Sequence, residues 1–190
     1  MKNNWKLLWN PFTRIAGWQA FGIGLVFFIL SAIVGKYANL LFDGAIDAHL
    51  YDETVTFARS FILSGISIFW TFIAMTLSAF FISKTFRIID ILGTMTLART
   101  PFLLMAIMAS FVKQPNIDEI LKNPMTVFSY PLFLVFGILS LPVIIWVVAL
   151  MFNAFKVSTG AKGGKLIIGF IVGLILAEIL SKVTIMLCCS

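Results

Sequence analysis

Residues 130–152 read YPLFLVFGILSLPVIIWVVALMF, 23 consecutive positions without a charged side chain. A helix needs about 20 apolar residues to cross roughly 30 Å of hydrocarbon, so this stretch predicts a transmembrane helix. Pro131 suits its first turn, where a missing N–H costs nothing. Pro142 lies in the interior, where it removes a backbone hydrogen bond and predicts a kink of the kind membrane helices tolerate. Trp146, one turn further on, is expected to pack against its neighbours.

The same pattern recurs on both sides. Residues 17–35 are uncharged up to Lys36, residues 60–82 are uncharged between Arg59 and Lys84, and residues 166–187 are apolar except for Glu178 and Lys182. A fifth segment, 94–112, reaches spanning length only by taking Arg99 into the helix. The first span follows Lys2, Lys6 and Arg14, as a signal peptide would. No small-x-small site closes it, so an uncleaved first helix is expected. The prediction is an all-α, polytopic integral membrane protein of about five transmembrane helices in a single domain, 1–190.

Composition agrees. Of the 190 residues, 61% are hydrophobic and 12% are charged, about half the charge of a soluble domain. That excludes a soluble globular enzyme, a nucleic-acid-binding domain and a disordered scaffold. The net charge of +6 falls in short runs beside the spans. Residues 1–14 carry a net +3, 36–59 a net −2, 83–99 a net +2, 113–122 a net 0 and 153–165 a net +3. Alternate segments are basic, as five spans with a cytoplasmic N-terminus require. The C-terminus, with Cys188 and Cys189, then lies outside the cytoplasm. That pair fits neither a metal cluster nor a prenylation box and leaves acylation open.

Two connections show helical periodicity. In 36–59, Tyr37, Leu40, Leu41, Ala45, Ile46 and Leu50 recur at spacings near three and four, with Asp43, Asp47 and His49 between them. A short helix lying on the membrane surface or capping the bundle is expected. In 83–97, Phe86, Ile89, Leu92 and Thr96 share a side opposite Arg87, Asp90 and Thr94. This predicts an interfacial helix that turns into the third span near Gly93, with Arg87 and Asp90 close enough to pair. Gly169 and Gly173 form a Gly-x-x-x-Gly pair, and Ser60, Ser64, Ser67 and Thr71 line one side of the second span. Both suit close helix packing.

Catalytic patterns are missing. His49 is the only histidine, so no histidine-based metalloprotease, zinc or haem set can form, and no Gly-x-Ser-x-Gly is present. His49 is expected to be a solvated surface residue. The glycine- and lysine-rich run 160–165 lacks phosphate-loop spacing and is expected to be a flexible connection. No catalytic, cofactor-binding or metal-binding residue is predicted, and no cofactor. The in-membrane charges are the remaining candidates. Glu178 and Lys182, one turn apart, are expected to satisfy one another. Arg99 is expected to join Asp90 in organising the cytoplasmic end of the bundle.

The stretch Arg87-Ile88-Ile89-Asp90-Ile91-Leu92-Gly93-Thr94-Met95-Thr96-Leu97-Ala98-Arg99-Thr100-Pro101 resembles the central segment of bacterial members of the Yip1 family. Asn10-Pro11-Phe12 and the acidic segment Phe42-Asp43-Gly44-Ala45-Ile46-Asp47 are similar to further features of those proteins. The resemblance covers most of the chain and implies a Yip1-like helical bundle in the bacterial cytoplasmic (inner) membrane. It singles out Asp90, Gly93, Arg99 and Pro101. The Asp-Leu-Tyr-Gly-Pro motif and long hydrophilic N-terminal region of the eukaryotic relatives are missing. The function expected is that of a non-enzymatic multi-pass protein organising or interacting with other membrane proteins or membrane lipids, a membrane-trafficking or organising role that the resemblance implies, with room for a homo-oligomer. The alternative is a small transporter or channel using the in-membrane charges Arg99, Glu178 and Lys182.

Overall fold

The computed structural model describes residues 5–51, 54–113 and 117–188, without the side chains of 117–119. It is helical almost throughout. Five helical stretches are long and apolar enough to cross a membrane: Gly17–Tyr37, Phe57–Ile82, Ile88–Ala109, Pro131–Thr159 and Gly163–Cys188. In chain order the α-helices are α1 (Trp5–Trp9), α2 (Gly17–Tyr37), α3 (Phe57–Ile82), α4 (Ile88–Ala98), α5 (Phe102–Ala109), α6 (Ile117–Lys122), α7 (Pro131–Thr159) and α8 (Gly163–Cys188).

The directions follow from the pairs that meet. A Cβ on Gly24 would lie 2.6 Å from the Leu97 amide nitrogen, and one on Gly93 would overlap the Gly17 carbonyl oxygen. Helices α2 and α4 therefore run parallel and nearly touch backbone to backbone, which only glycine allows. Helix α8 runs antiparallel to α3. Gly169 faces Ile82 and Ser78, Gly173 faces Met75 and Ser78, and Trp70 Nε1 donates to Thr184 Oγ1 over 2.8 Å. The Gly-x-x-x-Gly pair thus packs within the chain, and Ser78 Oγ donates to the Gly169 carbonyl over 2.5 Å. The serine face of α3 is buried, and Ser60 Oγ donates to the Ala32 carbonyl. We call the end where α2, α4 and α8 begin the near end, and the opposite one the far end.

Two expectations about the connections fail. Residues 38–51 do not form a surface helix. They form a hairpin of two short antiparallel strands, β1 (Leu40–Leu41) and β2 (His49–Leu50), in register Leu40↔Leu50 and Leu41↔His49. Asn39 turns the chain out of α2 at φ +50°, in the left-handed region that asparagine tolerates. Its side chain accepts from the Val55 amide, and its carbonyl accepts from the Tyr51 amide. The hairpin dives into the bundle, and Leu40, Leu41, Phe42 and Ala45 are buried. The apolar spacing of 37–50 is real, but it records a hairpin whose Leu40–Ala45 stretch is enclosed by the bundle, not one helical face.

The second failure is in the third span. Helix α4 runs straight through Gly93 and breaks instead at Arg99–Pro101, after which α5 starts at Phe102. Gly93 is a packing point and Arg99 is the hinge. The third span is also the most enclosed of the five, flanked by α2 on one side and α7 on the other.

Helix α7 continues through Pro142 without interruption. Its 29 residues extend about 43 Å, longer than the roughly 30 Å of a hydrocarbon core. Gly160, at φ +64°, ends it in the left-handed conformation that glycine adopts without strain. The short α1 packs along its C-terminal half. Trp146 Nε1 donates to the Leu8 carbonyl and Asn153 Nδ2 to the Trp9 carbonyl, both over 2.9 Å. These bonds satisfy carbonyls that the end of a short helix leaves open.

Candidate functional site

The tip of the hairpin lies in the middle of the bundle. Ser67, ten residues into α3 and so about 15 Å from its start, donates through Oγ to the Gly44 carbonyl. Irregular backbone at that depth is tolerated only where protein groups replace the missing water. Two charged side chains do so from opposite sides.

Arg99, only 6% exposed, sits where α4 breaks. Its Nη1 donates to the Ala45 carbonyl over 3.0 Å and its Nη2 to the Gly44 carbonyl over 3.2 Å. Its guanidinium carbon lies 4.9 Å from the centre of the Phe102 ring, which stacks on Phe42 of the hairpin. Glu178, on α8, accepts through Oε2 from the Ala45 amide over 2.7 Å and from the Ile46 amide over 3.3 Å. The cation thus holds the tip's carbonyls and the anion holds its N–H groups. Gly44 is required because Glu178 Oε1 occupies the space a Cβ would need.

A second cluster closes the hairpin nearer the far end. Lys182 Nζ lies 2.9 Å from Asp43 Oδ2 and 2.8 Å from Asp47 Oδ2. His49 Nδ1 lies 3.0 Å from Asp43 Oδ1, while its Nε2 is 3.7 Å from Asp47 Oδ2. Asp43 is almost fully buried, and His49 keeps about half its side chain exposed. Burial pushes the Asp47 carboxyl up, but the Lys182 hydrogen bond, the His49 and Lys182 charges and the Ala48 amide outweigh it. Asp47 therefore titrates below the usual carboxylate range. Asp43, Asp47 and His49 each bring one ligand atom within 4.8 Å of the others, the spacing of a cation site. The Lys182 ammonium supplies the cation that this cluster needs.

These contacts correct the pairings read from the sequence. Glu178 and Lys182 do not satisfy one another; each turns to the hairpin. Arg99 does not reach Asp90, and Arg87 forms no ion pair with it among the described residues. Asp90 lies instead at the near end, its Oδ1 beside Gly17 at the start of α2, where a carboxylate complements the positive helix terminus. Gly93 lies one turn on at the α2–α4 crossing, and Pro101 precedes α5 beside the Arg99 break. His49 is engaged with Asp43 rather than simply solvated. Asp43, Gly44, Asp47 and Ser67 were missed as partners. Their signal was charge: Arg99 and Lys182 lie within spans, where a cation needs partners, and Asp43 and Asp47 are acids in the first connection.

Beside Arg99 is a cavity of about 10 Å³, lined among others by Ser31, Ser64, Thr96 and Phe102. It has room for about one water. Ser64 Oγ, buried against it, has no partner among the described residues. No protein-family model matches this chain, nor does any curated protein or solved structure.

Proposed function

We propose that this chain is a non-enzymatic multi-pass membrane protein that organises other membrane proteins or lipids, as the resemblance to bacterial Yip1-family proteins implies. The observation that carries this reading is how the interior charges are used. Arg99, Glu178 and Lys182 all bind the hairpin, so the polar centre is spent on architecture. The surface that remains is aliphatic and aromatic, with Trp5, Trp9 and Trp18 exposed toward the near end. Trp residues at that level suit a membrane–water boundary.

The basic residues Lys6, Arg14, Lys84, Arg87, Lys156, Lys162 and Lys165 gather at or beyond the near end of the spans. By the positive-inside rule we read that end as cytoplasmic, so that the hairpin enters the bundle from the opposite face of a bacterial inner membrane, where Cys188 also lies. The transporter or channel reading draws on the same charges. A solute route past Arg99 would have to open from a cavity the size of one water, and so the organiser reading is preferred.

Native-nanodisc purification followed by identification of co-purifying proteins and lipids tests it. Stoichiometric recovery of a defined membrane protein or lipid is the expected result. Recovery of a lone monomer, together with solute flux through reconstituted protein that Arg99→Leu abolishes, would overturn it.

A further inference from the structure

The far end carries a second feature that the polar centre does not use. Helix α5 stops at Ala109, after only eight residues, while the first turns of α7 continue alongside and stay exposed at Leu132, Val135, Ile138 and Leu139. Where α5 falls short, a slot of about 170 Å³ opens between the two, walled by Met108, Phe111, Val135 and Leu139. Its walls are almost wholly apolar. Leu132 also lines a wider opening of about 350 Å³, whose rim carries Lys113, Ser129 and Tyr130. Leu132 borders both spaces, so they adjoin as a groove with an apolar channel and a cationic, hydroxyl-bearing mouth. From Pro131 to Leu139 it follows α7 for about 12 Å.

We infer that this groove binds one glycerophospholipid, with an acyl chain in the slot and the headgroup phosphate at Lys113 and Tyr130. Polarity along the groove changes in the same sense as in a bilayer leaflet, charged at the helix ends and apolar inward. A slot of about 170 Å³ is too small to enclose a transmembrane partner helix about 10 Å across. An extended peptide would leave its backbone polar groups without partners against those walls. An acyl chain has no such groups, and the ammonium complements a phosphate. The inference rests on the reading of the chain as a bilayer-spanning protein and names a lipid it would hold.

The test uses the full chain purified from nanodiscs of mixed phosphatidylcholine and phosphatidylglycerol, stripped in mild detergent and examined by native mass spectrometry. One phospholipid should stay bound per chain. Val135→Trp and Leu139→Trp, at exposed positions where folding is spared, should abolish retention with the melting temperature unchanged. Lys113→Gln should weaken it roughly tenfold, the worth of one charge-assisted hydrogen bond. Diacylglycerol with the same chains, lacking the phosphate, should be held about as weakly by the unsubstituted protein. Excess inorganic phosphate should not displace the lipid. Retention undiminished in both tryptophan variants, equal retention of diacylglycerol, or binding of inorganic phosphate with no lipid would each overturn the inference. Recovery of a protein partner by a chain that holds no lipid would leave the organiser reading standing and this one refuted.

Discussion

At the scale of single residues, the protein is decided by how Arg99 and Glu178 divide the work of holding Gly44–Ile46. A buried charge is costly alone, and removing one partner of a buried set typically costs about 3–5 kcal/mol. Arg99→Leu leaves the Gly44 and Ala45 carbonyls without their donor and Glu178 without a nearby cation. It should therefore lower stability by roughly that amount, read as a fall in melting temperature in mild detergent. Glu178→Gln, which keeps an acceptor oxygen, should cost less. The double variant should fall short of the sum, because both residues act on one loop. Asp47 makes the pH dependence specific. Its carboxyl titrates below the usual carboxylate range, so its contribution is present above the unfolded-state value and is lost as the pH falls through the lower, folded one. Hydrogen exchange at residues 45–50 should stay slow from neutral pH to about 4 and quicken below it. Asp47→Asn should remove that transition while leaving the Arg99 contacts in place. Arg99 itself was legible in the sequence as an expensive charge in a short span. Its partners were not, because the acid nearest in sequence, Asp90, is not the group nearest in space.

At the scale of elements, the same substitution means different things at different glycines. A Cβ at Gly93 would overlap the Gly17 carbonyl, whereas one at Gly22 would meet nothing within 4 Å. Gly93→Ala should therefore push α4 off α2 and destabilise the bundle. Gly22→Ala should be neutral or slightly stabilising, since alanine favours a helix by about 1 kcal/mol over glycine. Thermal unfolding of the two variants side by side measures the difference; equal effects would show that the α2–α4 contact is not tight. The hairpin shows why periodicity misled. Helical spacing of apolar residues identifies an amphipathic helix only when one face is wet. Leu40, Leu41, Phe42 and Ala45 are buried because the loop is enclosed, so their spacing carries no period. The third span failed for a related reason. Gly93 suggests a turn, but its missing side chain serves close packing on Gly17, and the chain breaks at Arg99–Pro101 instead.

At the scale of the whole molecule, the proposed orientation has a direct consequence. Cys188 ends α8 at the far end and is exposed, whereas Lys162 lies in the short connection between α7 and α8 at the near end. In intact cells a membrane-impermeant maleimide should label Cys188, and a cysteine placed by Lys162→Cys in a chain without the native cysteines should label only after lysis. The reverse pattern would invert the topology and place the hairpin on the cytoplasmic side.

The sequence by itself determined the number of long apolar helices and marked Gly169, Gly173 and the α3 serines as surfaces for close helix packing. Hydrophobic length and small-residue spacing are properties of single helices, so they can be read one segment at a time. Only the tertiary structure decided that the first connection folds inward as a hairpin and that Arg99, Glu178 and Lys182 serve it. Each of those contacts joins residues far apart in the chain. A buried backbone carbonyl leaves no mark in the sequence until the folded chain brings a donor to it.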